Sequence, residues 1–371
     1  MAPLRRFFIG PFHRSCGPGP SHGESHLFRR AKSVIGLDLG SQALKAVEIT
    51  MDGPEPVITG FSRIELPPEG ERADAVAELI SKGEFRSKQV ATSVAGQAVV
   101  VRYISMVPMS DTELAQAIRF ESDKYLPFDP DEVLLDCHRL DTSQPPEGEN
   151  GEPQMGVVLV ACQKGVVHRQ LDDLVVNGLN PTVVDVDVFA LGNAWELCEG
   201  EQAAGEEDVA TALVDVGSTR TQINVLRGGE TCFSREIGIG GSDMTKATAR
   251  RLGLEPFEAE AVKRDSGDRE VEVGRAIGPV IEDLVSELSL SLDFVENREG
   301  VRVDEILLSG GGILAPGFVT AVEQGTGRPA RTWNPLDGLR VDASRVDVEE
   351  LEACASTLAV AIGLASRVRV A

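Results

Sequence analysis

The sequence predicts an α/β protein made of two similar half-domains, and two observations support this prediction. A pattern around Asp38 and Ser41 returns around Asp215 and Ser218, about half the chain later. Each copy consists of an apolar strand, the letters Asp-x-Gly-Ser and a second strand, which is typical of a β-hairpin with a tight turn. In each half, three strand patterns precede helical patterns, which indicates a mixed sheet covered by helices.

The first half begins with short apolar segments separated by turn residues. The pattern predicts a helix at 73–82 and strands at 34–38, 44–51, 55–64 and 90–94. The pattern changes at about residue 105. Ser110 and Glu113 have the spacing of a capping box, which predicts the start of a helix that continues through residue 124.

Three further elements complete this inserted block, namely strands at 131–140 and 156–162 and a helix at 164–177. The block is a β-α-β-β-α unit of about 75 residues inside the first half-domain. A generic ferredoxin-like insertion has the same order of elements, so the pattern by itself leaves that alternative open.

The second half repeats the opening order after a strand at 183–188, a helix at 189–198 and an acidic linker at 199–208. We predict the following elements in it: strands at 209–216, 220–227, 231–239 and 305–308, helices at 242–252 and from 255, an amphipathic helix at 274–298 and a closing helix at 353–366.

Composition excludes several classes of protein. The net charge is −23 and the pI is near 4.7, which argues against nucleic-acid binding because phosphate contacts need clustered Lys and Arg. Residues 1–32 depart from this balance with six basic side chains against one acidic, and we expect a disordered basic tail there. The six cysteines form no CxxC or zinc-site spacing, and no apolar run reaches the length of a membrane span, so we expect a cytoplasmic protein.

The two hairpins predict a phosphate-binding site. Backbone N–H groups at Gly40 and Gly217 and hydroxyls at the same turns are suited to phosphate oxygens. Asp38 and Asp215 are suited to hold a hydrated Mg²⁺ between the halves. The hydroxyl groups concerned are those of Ser41, Ser218 and Thr221. The sequence contains no G-x-x-x-x-G-K-[ST] string, so it is not a P-loop protein.

A glycine-rich loop follows the last predicted strand of the second half. Gly310, Gly311 and Gly312 lie between this strand and a helix start, where a nucleotide approaches the backbone closely because glycine lacks a Cβ. The same letters fit a dinucleotide-binding fingerprint poorly, because no acidic residue follows a second strand about 20 positions later.

These motifs, in this order, resemble the actin/sugar-kinase/chaperone ATPase superfamily, and within it the FtsA/PilM branch. The resemblance implies an actin-like (ribonuclease H-like) fold of two half-domains with an FtsA-type 1C insertion. It divides the chain into a tail (1–32), subdomain 1A (33–104 and 181–208), the inserted subdomain 1C (105–180), subdomain 2A (209–239 and 304–371) and the helical subdomain 2B (240–303).

The resemblance also implies roles for further residues in binding ATP and Mg²⁺. Lys45 adds positive charge beside the phosphates, and Glu260 and Lys263 of an Ala-Glu-x-x-Lys string hold the ribose and base. The 310–312 glycines form the adenosine motif. A carboxylate in the connecting region orients the attacking water, and both Asp185 and Asp187 are candidates. The sequence leaves open which of them acts and whether ATP is hydrolysed.

Two features favour the PilM family over FtsA. The string from Phe120 to Phe128 looks like PilM, and the chain ends at Ala371 directly after a predicted core helix, without the amphipathic tail usual in FtsA. The implied protein is a cytoplasmic scaffold of the type IV pilus or type II secretion inner-membrane platform. It binds the cytosolic N-terminal peptide of a PilN-type membrane protein near residues 105–140 and meets the membrane only through its partners.

Two other classes stay open at this stage. One is an FtsA-like cell-division or cytoskeletal filament protein, and self-association of this chain is left open with it. The other is an actin-fold small-molecule kinase, which needs a substrate pocket and a catalytic carboxylate that the sequence does not reveal.

Overall fold

A computed structural model describes residues 32–51, 55–66, 71–140, 152–199 and 209–369. The predicted basic tail, apart from Lys32, and the acidic linker, apart from Glu199, lie outside these residues. Among the helices that are described, none combines the length and the apolar composition needed to cross a bilayer.

The strands within the described ranges form three sheets. The first has the order β14-β3-β2-β1-β4-β8, the second β11-β10-β9-β12-β13 and the third β5-β7-β6. The strands are β1 (Lys32–Leu39), β2 (Ala43–Met51), β3 (Pro56–Glu65), β4 (Gln89–Val94), β5 (Val99–Met106), β6 (Val133–Leu140), β7 (Met155–Gln163), β8 (Asn180–Val186), β9 (Val209–Val216), β10 (Thr221–Arg227), β11 (Glu230–Ile237), β12 (Arg302–Ser309), β13 (Ala330–Thr332) and β14 (Arg340–Val341).

Ten α-helices cover the sheets in the part of the chain that is described. They are α1 (Arg72–Gly83), α2 (Asp111–Glu121), α3 (Lys164–Val175), α4 (Asp187–Glu199), α5 (Gly241–Leu252), α6 (Pro256–Arg264), α7 (Glu270–Glu299), α8 (Phe318–Thr326), α9 (Val348–Ala353) and α10 (Ala359–Ala365).

Strand β1 is apolar on both faces because helices cover both faces of its sheet. Ile35 and Leu37 belong to the same buried cluster as Leu79 of α1, whereas Val34 packs with Ala361 of α10. A sheet covered on both sides needs an almost continuous apolar strand, and this accounts for the apolar run that enters the first hairpin.

Helices α4 and α10 lie between the two halves. The cluster that contains them also holds Val47 of the first sheet and Leu213 and Leu307 of the second. The helices approach very closely, since a Cβ on Gly363 would lie 1.8 Å from the carbonyl oxygen of Ala190. This shared core fixes the position of one hairpin relative to the other.

The start of the inserted block differs from the prediction. Strand β5, which the sequence analysis did not place, pairs with β7 along its whole length, and the predicted boundary at residue 105 falls inside it. At the other end of the block, Leu174 of α3 packs in the cluster of α1, and Gln170 donates to Thr92 at 2.9 Å. Helix α3 therefore also packs against the first sheet.

Two predicted helices also differ from the prediction in where they end or break. The capping box at Ser110 and Glu113 is confirmed, and the helix it opens ends at Glu121 in a short 3₁₀ turn rather than continuing through residue 124. The continuous helix predicted at 353–366 is wrong. The chain there forms α9, a 3₁₀ turn and α10, because the carbonyl of Ser356 accepts the N–H of Gly310 at 2.6 Å.

Candidate functional site

The two predicted hairpins meet at one cleft. Their turns line a cavity of about 360 Å³ that contains both Asp38 and Asp215. The hydroxyl oxygen of Ser41 lies 3.3 Å from that of Thr219, so the two turns touch although they are 178 positions apart in the chain. The glycines and serines predicted for phosphate binding at both turns line the same cavity, namely Gly40, Ser41, Gly217 and Ser218.

The first hairpin presents an ion pair to the cleft. Asp38 and Lys45 are direct cross-strand partners on β1 and β2, and Nζ of Lys45 donates to Oδ2 of Asp38 at 2.7 Å. Burial lowers the pKa of Lys45, but the charge and hydrogen bond of Asp38, with the charge of Asp215, outweigh burial and raise it overall. Lys45 is therefore a positive charge in the cleft that both carboxylates stabilise.

Asp215 lies one residue before the end of β9, the corresponding strand of the second half. It is the register partner of Ser309 on β12, and the Ser309 hydroxyl donates to its Oδ1 at 2.8 Å. Burial is the main cause that raises the pKa of Asp215; Lys45 and Ser309 oppose it, and Asp38 adds to it. A buried carboxylate near a second carboxylate is electrostatically suited to a cation.

The two candidates in the connecting region are separated by the structure. Asp187 begins α4 and lines the cleft, where burial and the charges of Asp38 and Asp215 raise its pKa to about 7. Asp185 is fully buried and accepts a hydrogen bond from Nε of Arg367 at 2.9 Å. The fold uses Asp185 in an internal ion pair, and Asp187 is the candidate that faces the site.

The second turn is held against the start of α5. The N–H of Gly241 donates to the carbonyl of Gly217 at 2.9 Å, and the N–H of Ser242 donates to that of Ser218 at 2.7 Å. Thr221, predicted to contact phosphates, is fully buried, and its hydroxyl donates to the carbonyl of Ile239 at 2.8 Å.

The hydroxyl that joins Ser218 at the cleft is that of Thr219, which the sequence analysis missed. The sequence feature that could have identified Thr219 was its position directly after the second Asp-x-Gly-Ser turn motif.

Glu260 and Lys263 form a buried pair on α6. Nζ of Lys263 lies 2.7 Å from Oε2 of Glu260 and donates to the carbonyl of Gly241 at 3.0 Å and to the hydroxyl of Thr245 at 2.8 Å. Burial lowers the pKa of Lys263. Burial alone would raise the pKa of Glu260, but the hydrogen bonds that Glu260 accepts from Lys263, Thr245 and Arg264 outweigh burial and lower it. The next residue, Arg264, lines the cleft.

The glycine-rich loop lies where the sequence predicts it, beside the second hairpin. Gly310 has φ of +91°, and a Cβ there would lie 2.4 Å from the carbonyl oxygen of Val216. Gly310 and Gly311 line the cleft. Gly312 packs against β9 instead, since a Cβ on it would lie 2.4 Å from Cγ1 of Val216.

Four arginines that no motif identified also line the cleft. They come from β3, the first turn of α1, the β9–β10 turn and the end of α6, namely Arg63, Arg72, Arg220 and Arg264. The signal for Arg63 was its strand register, because it is the cross-strand partner of Lys45. Together with Lys45 these side chains make the cleft cationic in a chain whose net charge is −23.

The donor set fits a hydrated cation and a polyphosphate. Within the described ranges no group of three or more His, Cys, Asp and Glu side chains is arranged to hold a metal ion directly. Asp38 and Asp215 fit a Mg²⁺ that retains most of its waters, as Mg²⁺ commonly does beside phosphates. The hydroxyls and Lys45 fit phosphate oxygens, and the volume lies in the range of small-molecule sites. The N–H of Gly217, predicted to bind phosphate, instead donates to the carbonyl of Arg220 at 2.9 Å and closes its own turn.

Comparison with known proteins decides the family. A family model described as type IV pilus assembly protein PilM matches residues 36–369. The chain belongs to the PilM family. A chain of a solved PilM–PilN type IV pilus biogenesis complex is 31% identical and has a TM-score of 0.79, and the match covers 90% of this chain and 98% of that one.

Two more distant relatives share the fold or part of the sequence. Ethanolamine utilization protein EutJ from Carboxydothermus hydrogenoformans has a TM-score of 0.52 at 15% identity, covering 92% of this chain and 91% of EutJ. Cell division protein FtsA from Bacillus subtilis (strain 168) is 28% identical over 109 residues, which are 29% of this chain and 23% of FtsA. This PilM-family protein therefore spans about a quarter of that relative's length. The actin-like fold predicted from the hairpins is confirmed.

Proposed function

We propose that this PilM-family protein is an ATP-binding, actin-like scaffold on the cytoplasmic side of a type IV pilus assembly platform. The observation that supports ATP binding best is the meeting of the two hairpins, whose carboxylates Asp38 and Asp215 line one cleft. A phosphate chain held by both turns joins the two halves, so ATP acts first as a structural clamp.

Each part of the cleft has a proposed task. Asp38 and Asp215 would hold a hydrated Mg²⁺, and the ion would balance the negative charge of the phosphates. The hydroxyls of Ser41, Ser218 and Thr219 bind the phosphate oxygens with Lys45 beside them, together with turn N–H groups other than that of Gly217. On the nucleoside side, Glu260 and Lys263 hold the ribose and base next to the loop at 310–312.

Asp187 is the proposed positioning group for the attacking water in a slow ATPase. It lines the cleft, and burial with two neighbouring carboxylates raises its pKa to about 7. A carboxylate at this position accepts hydrogen bonds from water and is suited to orient the attacking molecule.

Calorimetric titration with Mg-ATP tests the site. Asp38→Ala and Asp215→Ala should each abolish binding and leave the circular dichroism spectrum unchanged. Asp304→Ala is the matched control, because Asp304 is an exposed carboxylate on β12. Unchanged ATP affinity in both cleft variants contradicts the proposal.

The inserted unit is the proposed docking site of a PilN-type partner. A PilN chain accompanies the PilM relative in the solved complex. Residues 105–140 have eight acidic side chains against three basic ones, which suits a basic peptide. Phe120 on α2 is 90% exposed and offers that peptide an apolar contact.

Binding of a synthetic peptide with the cytosolic N-terminal sequence of the PilN-type protein tests this docking site. Phe120→Ser should weaken binding about tenfold, as expected for an aromatic contact at the centre of an interface. Phe257→Ser is the control, because Phe257 on α6 is 85% exposed and lies outside the inserted unit. Equal losses in the two variants contradict the proposed location.

A further inference from the structure

Linked ion pairs connect the two halves of the protein beside the cleft. Glu65 ends β3 of the first half, and its Oε1 accepts a hydrogen bond from Arg264 of α6 in the second half at 2.8 Å. Nε of the same arginine donates to Oε1 of Glu260 at 2.9 Å. Arg264 therefore bonds at once to the opposite half and to a residue of the nucleoside side.

Glu65 is positioned for this contact by its own strand. Arg63, two residues earlier, donates to the same Oε1 of Glu65 at 3.1 Å. The N–H of Leu66 donates to the carbonyl of Gln42 at 2.8 Å, so the end of β3 is tied to the first phosphate turn. The hydrogen bond from Arg264 is the largest cause that lowers the pKa of Glu65.

The exposure of this pair suits a contact that opens and closes. The side chains of Glu65 and Arg264 are 52% and 44% exposed. An exposed ion pair adds little to the stability of a fold and exchanges readily with water. By contrast, Lys263 and Glu260 on the same helix are largely buried and hold α6 against α5.

We propose that Arg264 is the positioning residue of the nucleotide site and controls nucleotide release. It holds the carboxylate of Glu260 in place for the ribose, and through Glu65 it clamps the two halves over a bound nucleoside triphosphate. This inference rests on the ATP site proposed above. Release of the nucleotide requires the Glu65–Arg264 contact to break first.

Nucleotide dissociation measured by stopped flow with a fluorescent ATP analogue tests the inference. Glu65→Gln, which removes the negative charge that pairs with Arg264 across the cleft and with Arg63 on the same strand, should speed dissociation about two- to fivefold, the effect expected for an exposed pair. Arg264→Gln removes both bonds of Arg264 and should speed it at least as much. The double variant should match Arg264→Gln, because the cross-cleft bond is already absent in it.

Arg331→Gln is the matched control. Arg331 bonds to Glu305 at 3.1 Å in an exposed pair on the second sheet, so its dissociation rate should equal that of the wild type. An unchanged rate in Glu65→Gln, or additive effects of Glu65→Gln and Arg264→Gln, overturns the inference while the ATP site stands.

Hydrogen exchange without nucleotide separates this inference from the ATP site. Faster exchange at the end of β3 and along α6 in Glu65→Gln than in wild type supports the clamp itself. If wild type binds no nucleotide, the proposed function fails. If exchange is equal in the two proteins, the clamp fails whether or not ATP binds.

Discussion

Substitution of Gly363 by alanine is expected to destabilise the protein through the helix that joins the two halves. Helix α10 packs between strand β1 and helix α4. A Cβ on Gly363 would lie 1.8 Å from the carbonyl oxygen of Ala190. The helix cannot retreat, because its other face bears on Gly36, where a Cβ would lie 1.9 Å from the carbonyl oxygen of Ala361.

The size of the effect follows from two opposing terms. The new methyl group would lie 1.8 Å from an oxygen that must be at least 3.0 Å away, so α4 and α10 must move apart by more than 1 Å. Overpacking of this kind costs about 1–3 kcal/mol. Alanine gains up to about 1 kcal/mol over glycine inside a helix. Because the obstacle is a main-chain oxygen held on both sides, we expect the upper part of the range and a net loss of about 2 kcal/mol.

Thermal and urea unfolding of Gly363→Ala measure this loss. Gly274→Ala on α7 is the control, because nothing lies within 4 Å of a Cβ at that position. The control should be more stable than wild type by about 0.5–1 kcal/mol through helix propensity. A Gly363→Ala protein as stable as wild type would refute the close packing of the two central helices.

Three further outcomes are expected. The pKa of Asp187 is raised from its ordinary value of 3.8 to about 7, so its charged form destabilises the folded protein as the pH rises above 3.8. Asp187→Asn should therefore raise the free energy of unfolding by about 1–3 kcal/mol more at pH 8 than at pH 5. An equal gain at both pH values would contradict its burial beside other carboxylates. Ser110→Ala removes the hydroxyl that caps α2 and accepts from the N–H of Glu113, so the free energy of unfolding should fall by about 1 kcal/mol, whereas Ser110→Asp should retain the cap. Gly310→Ala forces a Cβ against the carbonyl of Val216 at positive φ and should lower both ATP affinity and thermal stability; normal ATP affinity would show that this loop lies outside the site.

Local patterns predicted the hairpins and most strands because each depends on neighbouring residues. The repeated Asp-x-Gly-Ser turns located both carboxylates, Asp38 and Asp215, and the sheet register then placed Lys45 beside the first. Strand β5 also has a local signal in its β-branched residues at 99–101. It was missed because the change of pattern was placed at the helix that follows.

Long-range contacts decided what the sequence left open. Asp185 and Asp187 are two residues apart, and a contact with Arg367 distinguishes them. The guanidinium of Arg367, which is 182 positions later in the chain, forms an ion pair with Asp185. The break between α9 and α10 depends on Gly310, whose N–H donates a hydrogen bond to the carbonyl of Ser356. No local pattern contains either contact.

The cationic lining of the cleft illustrates the same limit. Arg63 and Arg264 are 201 positions apart, yet both bond to Glu65. Single arginines are common on the surface of an acidic chain, and only the assembled halves show that several face one cavity. Sequence motifs thus predicted the two turns at the centre of the site, whereas the arginines that line the cleft were identified only from the tertiary structure.

A crystal structure with Mg²⁺ and a non-hydrolysable ATP analogue would show whether the two halves hold one nucleotide between them. We expect the phosphate chain to lie between the turns at Gly40 and Gly217, with the ion beside Asp38 and Asp215. A nucleotide bound elsewhere on the protein, or contacts with the turn of one half alone, would contradict it.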